Sequence, residues 1–103
     1  MKILEIIELR SVSKQLNFLK PELNSLINKL NKETNGCSIK IYRHLSLDTD
    51  FSIHLHYNSN KTDNNGSTIG LQLISVLKEF GLTYHHIWCE LNTGNRKAEK
   101  NEF

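Results

Sequence analysis

The chain has 103 residues, of which 38% are hydrophobic and 23% are charged, and its formal net charge is +2. This length and composition suit one globular domain with a modest core and argue against disorder over most of the chain. The apolar runs are too short for a bilayer and the basic residues are scattered, so we expect neither a membrane nor a nucleic acid as partner.

The N-terminal segment MKILEIIELR predicts a central strand over 2–12, because isoleucine and leucine occur on both of its alternating faces. Glu5, Glu8 and Arg10 interrupt the apolar stretch, and no small-residue cleavage site follows it. The segment is therefore interpreted as a strand and not as a signal peptide, and we expect a cytoplasmic protein.

A helix follows, because apolar residues recur at steps of three and four from Leu16 to Leu30. Proline is tolerated only near a helix start, so we expect the regular part to begin at Pro21 after a looser turn. Gly36 predicts the end, since glycine readily adopts the left-handed conformation that stops a helix.

Two alternating segments, 37–47 and 51–58, predict a hairpin around the turn-forming triplet Asp48-Thr49-Asp50. A three-residue turn pairs Leu47 with Phe51, and the alternation requires paired residue numbers to have an even sum.

This predicted pairing brings three imidazoles together. It places His44 opposite His54 and Tyr42 opposite His56, and cross-strand neighbours lie about 5 Å apart at the β-carbon. We therefore expect His44, His54 and His56 to form one cluster.

The last third of the chain predicts a second helix and a fourth strand. Ser67 is a suitable N-cap for this helix, and Gly81 is expected to close it. A strand over 83–91 follows, and the polar tail 93–103 is expected to be poorly ordered, so the domain is predicted to span 1–92.

The element order β-α-β-β-α-β predicts a ferredoxin-like α+β fold: a four-stranded antiparallel sheet in the order 4-1-3-2, with two helices on one face. The apolar parity of each strand should face the helices. The opposite parity mixes aromatic, apolar and ionisable side chains, namely Leu4, Ile6, Glu8, Arg10, Lys40, Tyr42, His44, His54, His56, Tyr84, His86, Trp88 and Glu90. A face of this composition is expected to be covered by something.

Three interpretations of the histidines remain open. His54 and His56, with His44, have the spacing of a metal site. They also suit a half-polar interface in which each imidazole is hydrogen-bonded. A catalytic or ligand-positioning role is the third, because a histidine exchanges protons near neutral pH. Arg10 suits either an ion pair or the anchoring of an anionic substrate.

The segment NGCSIKIYRHLSLDTDFSIHLHY resembles the central hairpin of the antibiotic-biosynthesis-monooxygenase-like domains. There, a Gly-Cys pair opens a strand with a Tyr-Arg pair, and an acidic turn precedes a strand that begins with Phe. The matching residues in this chain are Gly36, Cys37, Tyr42, Arg43 and Phe51. The resemblance implies a dimeric α+β barrel, in which two sheets pack face to face and enclose a cavity.

The same resemblance implies cofactor-independent oxidation of quinol-like aromatics or haem degradation. The Asn, Trp and His set of the haem degraders is not matched, because the first strand contains no asparagine. We predict no cofactor and assign no metal ligand, and the metal interpretation of the histidine cluster stays open.

We predict a homodimer whose cavity binds a small aromatic molecule, in which His54, His56 and His86 are catalytic and Tyr42, His44, Trp88 and Arg10 contact the substrate. The alternative is a non-enzymatic module for ligand binding or assembly.

Overall fold

The computed structural model describes residues 1–33, 36–60 and 65–91. The predicted tail, and with it the predicted domain end at residue 92, lies outside the described residues. The elements in chain order are β1 (Lys2–Ser11), a short 3-10 turn (Ser13–Gln15), α1 (Leu16–Glu33), β2 (Cys37–Arg43), β3 (Asp50–Asn58), α2 (Thr68–Leu77) and β4 (Gly81–Cys89).

The sheet confirms the ferredoxin-like prediction. Its strands are antiparallel and lie in the order β2-β3-β1-β4, which is the predicted order read from the other edge. Because β1 is central, each open-face residue of β1 lies between a residue of β3 and a residue of β4. Among the described residues, neither helix is both long and apolar enough to cross a membrane.

The core lies between one face of the sheet and the two helices. Ile7, Ile53 and Leu55 point from the sheet and are fully buried, and they join the buried Leu19 of α1 and Leu73 of α2 in one apolar cluster. Burial of one such side chain stabilises the fold by about 1.5–3 kcal/mol. The odd-numbered residues of the strands therefore form the helix-covered face, as the alternation predicts.

Helix α1 begins five residues earlier than predicted, at Leu16, and Pro21 lies inside it. A proline within a helix removes one backbone hydrogen bond. Here the residues on both sides of it, Leu19 and Leu23, are buried and hold the helix against the sheet, while Pro21 itself is exposed. Gly36 has a φ of 81°, as expected for the left-handed stop.

Helix α2 confirms the predicted N-cap, because the Ser67 hydroxyl oxygen accepts a hydrogen bond from the Gly70 backbone N–H at 2.9 Å. Gly81 does not close this helix but begins β4, opposite Ser11. A side chain at Gly81 would collide with the carbonyl oxygen of Arg10, so glycine is needed there for the close approach of two strands.

The predicted hairpin pairing is wrong, because paired residue numbers sum to 94 in the structure and not to the predicted 98. Both sums are even, so each side chain still lies on the predicted face. Phe51 pairs with Arg43 and not with Leu47, and residues 44–49 form the loop. Directly before β3, the Thr49 carbonyl oxygen accepts hydrogen bonds from the backbone N–H of Ser11 at 2.8 Å and from its hydroxyl at 2.7 Å. These bonds hold the end of the loop against β1.

Candidate functional site

The even-numbered side chains of the four strands form the second face of the sheet, which we call the open face. The pairing aligns them in rows that run from β2 to β4. The two central rows are Ser38, His56, Leu4 and Trp88, and Lys40, His54, Ile6 and His86; the next row towards the hairpin loop is Tyr42, Ser52, Glu8 and Tyr84. Imidazoles and aromatic rings therefore surround an aliphatic centre.

His54 is the most closely contacted imidazole of the open face. Its ring centroid lies 4.7 Å from that of Tyr42 and 6.4 Å from that of His56. Its Nε2 atom lies 3.0 Å from the hydroxyl oxygen of Ser52. Burial, followed by repulsion from His56 and opposed by attraction to Glu8, lowers the pKa of His54 below its usual 6.5. The imidazole is therefore neutral and able to accept a proton at neutral pH.

His86 is the imidazole of the β4 edge, and its Nε2 atom lies 3.3 Å from a carboxylate oxygen of Glu8. Ile6 separates His86 from His54 in the same row, as the predicted strand order requires. Both members of the His86–Glu8 pair are about half exposed, so the attraction is weak in a single chain. The carboxylate nevertheless gives the ring an oriented partner.

Arg10 lies at the end of the open face and forms an ion pair with Asp50, the residue opposite it on β3. The separation is 3.2 Å, and the guanidinium remains largely exposed. Its charge is thus partly neutralised by Asp50.

Two depressions indent the open face at its opposite ends. The smaller, of about 260 Å³, is lined by residues that include Arg10, Tyr42, His44 and Tyr84. The larger, of about 410 Å³, is lined by residues that include Leu4, His56, Trp88 and Glu90. His54 and His86 lie in the row of residues between them and line neither, so five of the seven predicted site residues line a depression and two do not.

His44 does not join the predicted cluster. It lies outside β2, in the hairpin loop, and its Nδ1 atom accepts hydrogen bonds from the backbone N–H groups of Ser46 at 3.0 Å and Leu47 at 3.1 Å. The residue opposite His54 on β2 is Lys40, and the residue opposite His56 is Ser38. Within the described parts of the chain, no three His, Cys, Asp or Glu side chains are grouped so that they can hold a metal ion.

A third ionisable pair, Glu5 and His85, lies on the helix-covered face and was not predicted from the sequence. A carboxylate oxygen of Glu5 lies 2.6 Å from Nε2 of His85, and Glu5 is fully buried. The signal was present in the alternation, because both residues occupy odd positions on the apolar side of their strands: Ile3 and Ile7 flank Glu5, and Ile87 follows His85.

Fold and site together define a ferredoxin-like α+β domain with one helix-covered face and one open face rich in histidine and aromatic residues. Solved structures share this fold. Rv0793 from Mycobacterium tuberculosis is 16% identical, with a TM-score of 0.67, over 89% of this chain and 97% of its own. A conserved protein from Methanosarcina mazei Go1 is 15% identical, with a TM-score of 0.68, over 88% of this chain and 94% of its own.

A third structure, described as an antibiotic biosynthesis monooxygenase, is 9% identical, with a TM-score of 0.65, over 86% of this chain and 98% of its own. No family model and no curated protein sequence matches the chain. The resemblance to antibiotic-biosynthesis-monooxygenase-like domains is therefore confirmed at the level of the fold, and similarity at these identities carries no activity across.

Proposed function

We propose that two copies of the chain pack through their open faces and that the enclosed space binds and oxidises a small quinol-like aromatic molecule. The observation that carries the proposal is the exposure of Tyr84 and Trp88, at 55% and 60%, beside imidazoles on the uncovered side of the sheet. A large apolar patch rimmed by polar residues marks an interaction surface.

A second open face is the partner that this surface fits best. Two sheets packed face to face lie about 10 Å apart, which brings side chains of both sheets into contact over the aliphatic centre. The depressions at the two ends would then be covered by the opposite sheet. A flat aromatic ligand would fit between Trp88 of the larger depression and the residues of the partner.

The chemistry assigned to the cavity begins with proton removal. Neutral His54, or His86 oriented by Glu8, accepts the phenolic proton, so that the O–H bond breaks and an N–H bond forms. The aromatic anion then reduces dioxygen. One oxygen atom enters the ring and the other leaves as water, so that a quinol and dioxygen give a hydroxyquinone and water without a cofactor.

The other site residues would hold the substrate. The ring of Tyr42 contacts that of His54. The larger depression is lined by His56 and Trp88, and the smaller one by Arg10 and His44. A cavity closed to water strengthens the attraction between an aromatic anion and these groups.

One observation favours the second candidate, a module that binds a ligand or assembles without catalysis. A catalytic histidine should combine a concave setting with an oriented partner. His54 and His86 have partners but line neither depression, whereas His56 lines one. The substrate test below separates the two functions.

The dimer is tested by the mass of the protein in solution. Trp88→Asp places a charge on the open face and should convert a dimer into a monomer. Phe18→Asp is the matched control, because Phe18 is 68% exposed on α1, which lies on the other side of the sheet. A wild-type monomer at micromolar concentration, measured by light scattering, would contradict the proposal.

Oxidation is tested with a panel of quinols by measuring oxygen consumption and product absorbance. We expect turnover by the wild type and a loss of about a hundredfold or more in His54→Ala or His86→Ala, the size of a lost general base. Glu22→Gln, an exposed change on α1, is the control. Ligand binding without oxygen consumption supports the non-enzymatic module, and neither binding nor turnover rejects both.

A further inference from the structure

The carboxylate of Glu5 is the least expected group in the fold. It is fully buried on the face of β1 that otherwise carries apolar side chains into the core. The effective penalty for burying an ion in a protein is several kcal/mol unless hydrogen bonds replace its water. The described contacts of Glu5 supply such bonds.

Three groups from three different parts of the chain surround this carboxylate. The Tyr57 hydroxyl donates a hydrogen bond at 2.9 Å. The backbone N–H of Ser67 lies 3.1 and 3.3 Å from the two oxygens. Nε2 of His85 lies 2.6 Å from one of them. All three can donate, as an ionised carboxylate requires.

Glycine residues close the remaining side of the pocket. A methyl group at Gly70 would collide with the Glu5 carboxylate, and one at Gly66 would lie 2.6 Å from both that carboxylate and the His85 ring. Gly66 also has a φ of 96°, which disfavours any side chain. The backbone before and within the first turn of α2 is thus packed directly on the Glu5–His85 pair.

His85 differs from Glu5 because 22% of its side chain remains exposed. Since an ionised carboxylate can only accept hydrogen bonds, the Nε2–H of His85 must donate to Glu5. The lone pair of a neutral imidazole then lies on the other ring nitrogen, Nδ1. A buried carboxylate therefore fixes the tautomer of a partly accessible histidine, which is the arrangement that makes histidine an effective base.

Tyr57 does not compete for this role. Burial, its hydrogen bond to Glu5 and the charge of Glu5 raise the pKa of Tyr57 to about 12. Its hydroxyl therefore stays protonated and keeps donating to the carboxylate at neutral pH.

We propose that Glu5 and His85 form a proton-accepting dyad, distinct from the open face, that binds a weakly acidic hydroxyl compound such as a phenol at Nδ1 of His85. In the transfer, the phenol O–H bond breaks and an N–H bond forms at Nδ1. The Nε2–H bond stays intact, and the Glu5 carboxylate stabilises the imidazolium. No oxidant is consumed, and the dyad depends neither on a dimer nor on the oxidation proposed above.

The plain structural alternative is an ion pair between β1 and β4 that only supports the packing of the start of α2 on the sheet. The two roles differ in what happens at Nδ1. A purely structural ion pair needs no ligand at Nδ1 of His85, whereas a proton-accepting dyad binds a phenolate there more tightly than the neutral phenol.

The test uses para-nitrophenol, which is coloured as the phenolate and nearly colourless as the phenol. With wild-type protein we expect the colour to appear at a lower pH than in buffer. His85→Gln should abolish this shift and weaken phenolate binding by about tenfold or more, the equivalent of one pKa unit. Glu5→Gln should do the same, and the exposed change Glu22→Gln should leave the shift intact.

His86→Gln separates this site from the open face, because residues 85 and 86 point to opposite faces of β4. A shift that survives His86→Gln but not His85→Gln supports the dyad. A shift that His86→Gln removes and His85→Gln spares belongs to the open face and overturns the inference. The monomerising change Trp88→Asp should leave the dyad's shift intact.

A measurement on the wild type covers the case in which variants of the buried pair fail to fold. Nitrogen NMR of the imidazoles should report the Nε2–H tautomer of His85, and adding para-nitrophenol should move its Nδ1 resonance. A His85 that carries its proton on Nδ1, or an Nδ1 resonance that the probe does not move, would overturn the inference.

Discussion

At the scale of single residues, His54 shows how neighbours on one face set the acidity of a side chain. Its pKa is lowered first by burial and then by His56, whereas Glu8 raises it. Protonation of His54 is thus disfavoured in the folded chain relative to the unfolded chain. The corresponding stability is present above the unfolded pKa of about 6.5 and is lost as the pH falls through the folded pKa.

We predict that His56→Gln raises the pKa of His54, because it removes a positive neighbour while leaving the fold intact. Proton NMR titration of the imidazoles measures the change. His44→Gln is the control, since His44 lies in the hairpin loop and should not affect His54. An unchanged pKa of His54 in His56→Gln would show that His56 does not contribute to the shift.

The alternation of residue types along the strands predicted much of the open face. Strict alternation assigned Tyr42, His54, His56, His86 and Trp88 to the correct side, because a strand has a period of two. Alternation says nothing about which residues lie opposite each other, so the predicted contact between His44 and His54 was wrong. That contact depended on the length of a loop held by bonds to β1, which no local pattern revealed.

At the scale of the elements, α2 depends on its first turn. The hydroxyl of Ser67 accepts from the Gly70 N–H, while the backbone N–H of Ser67 donates to Glu5. One residue thus both caps the helix and holds it to the sheet.

We predict that Ser67→Ala lowers the free energy of unfolding by about 1 kcal/mol, the usual value of an N-cap. Denaturant titration measures it. Ser75→Ala, an exposed change in the same helix, should have little effect. Because the bond from the Ser67 backbone to Glu5 survives the substitution, a much larger loss would mean that the hydroxyl does more than cap the helix.

The most predictable elements were those in which apolar residues recur at a regular spacing. Both helices and all four strands were expected from the sequence, and the errors lie at their ends. Pro21 was taken as a helix start, but buried leucines on both sides keep it inside α1. Gly81 was taken as a helix end, but a close contact with β1 requires it in β4. In both cases tertiary contacts decided the boundary.

At the scale of the whole molecule, Tyr57 links alkaline stability to the buried carboxylate. Its pKa rises from 10 in the unfolded chain to about 12 in the fold, so the folded state holds this proton more tightly. The resulting stability is fully present below pH 10 and is lost as the pH rises from about 10 to about 12.

We predict that Tyr57→Phe flattens this alkaline loss of stability, although it also removes one hydrogen bond to Glu5. Thermal unfolding across this pH range measures the slope. Tyr84→Phe, which changes a half-exposed tyrosine of the open face, should keep the wild-type slope. An equal slope in wild type and Tyr57→Phe would contradict the assignment.

The doublet His85-His86 has a consequence for how β4 finds its place. If β4 slid by one residue along β1, the two imidazoles would simply exchange sides, and Glu5 would again face an imidazole. The histidines therefore cannot distinguish the native alignment from its nearest error. Other residues of β4 make that choice: a slip would move Gly81 away from the carbonyl oxygen of Arg10, and exchange of Ile87 and Trp88 would expose an aliphatic chain and force an indole beneath a helix.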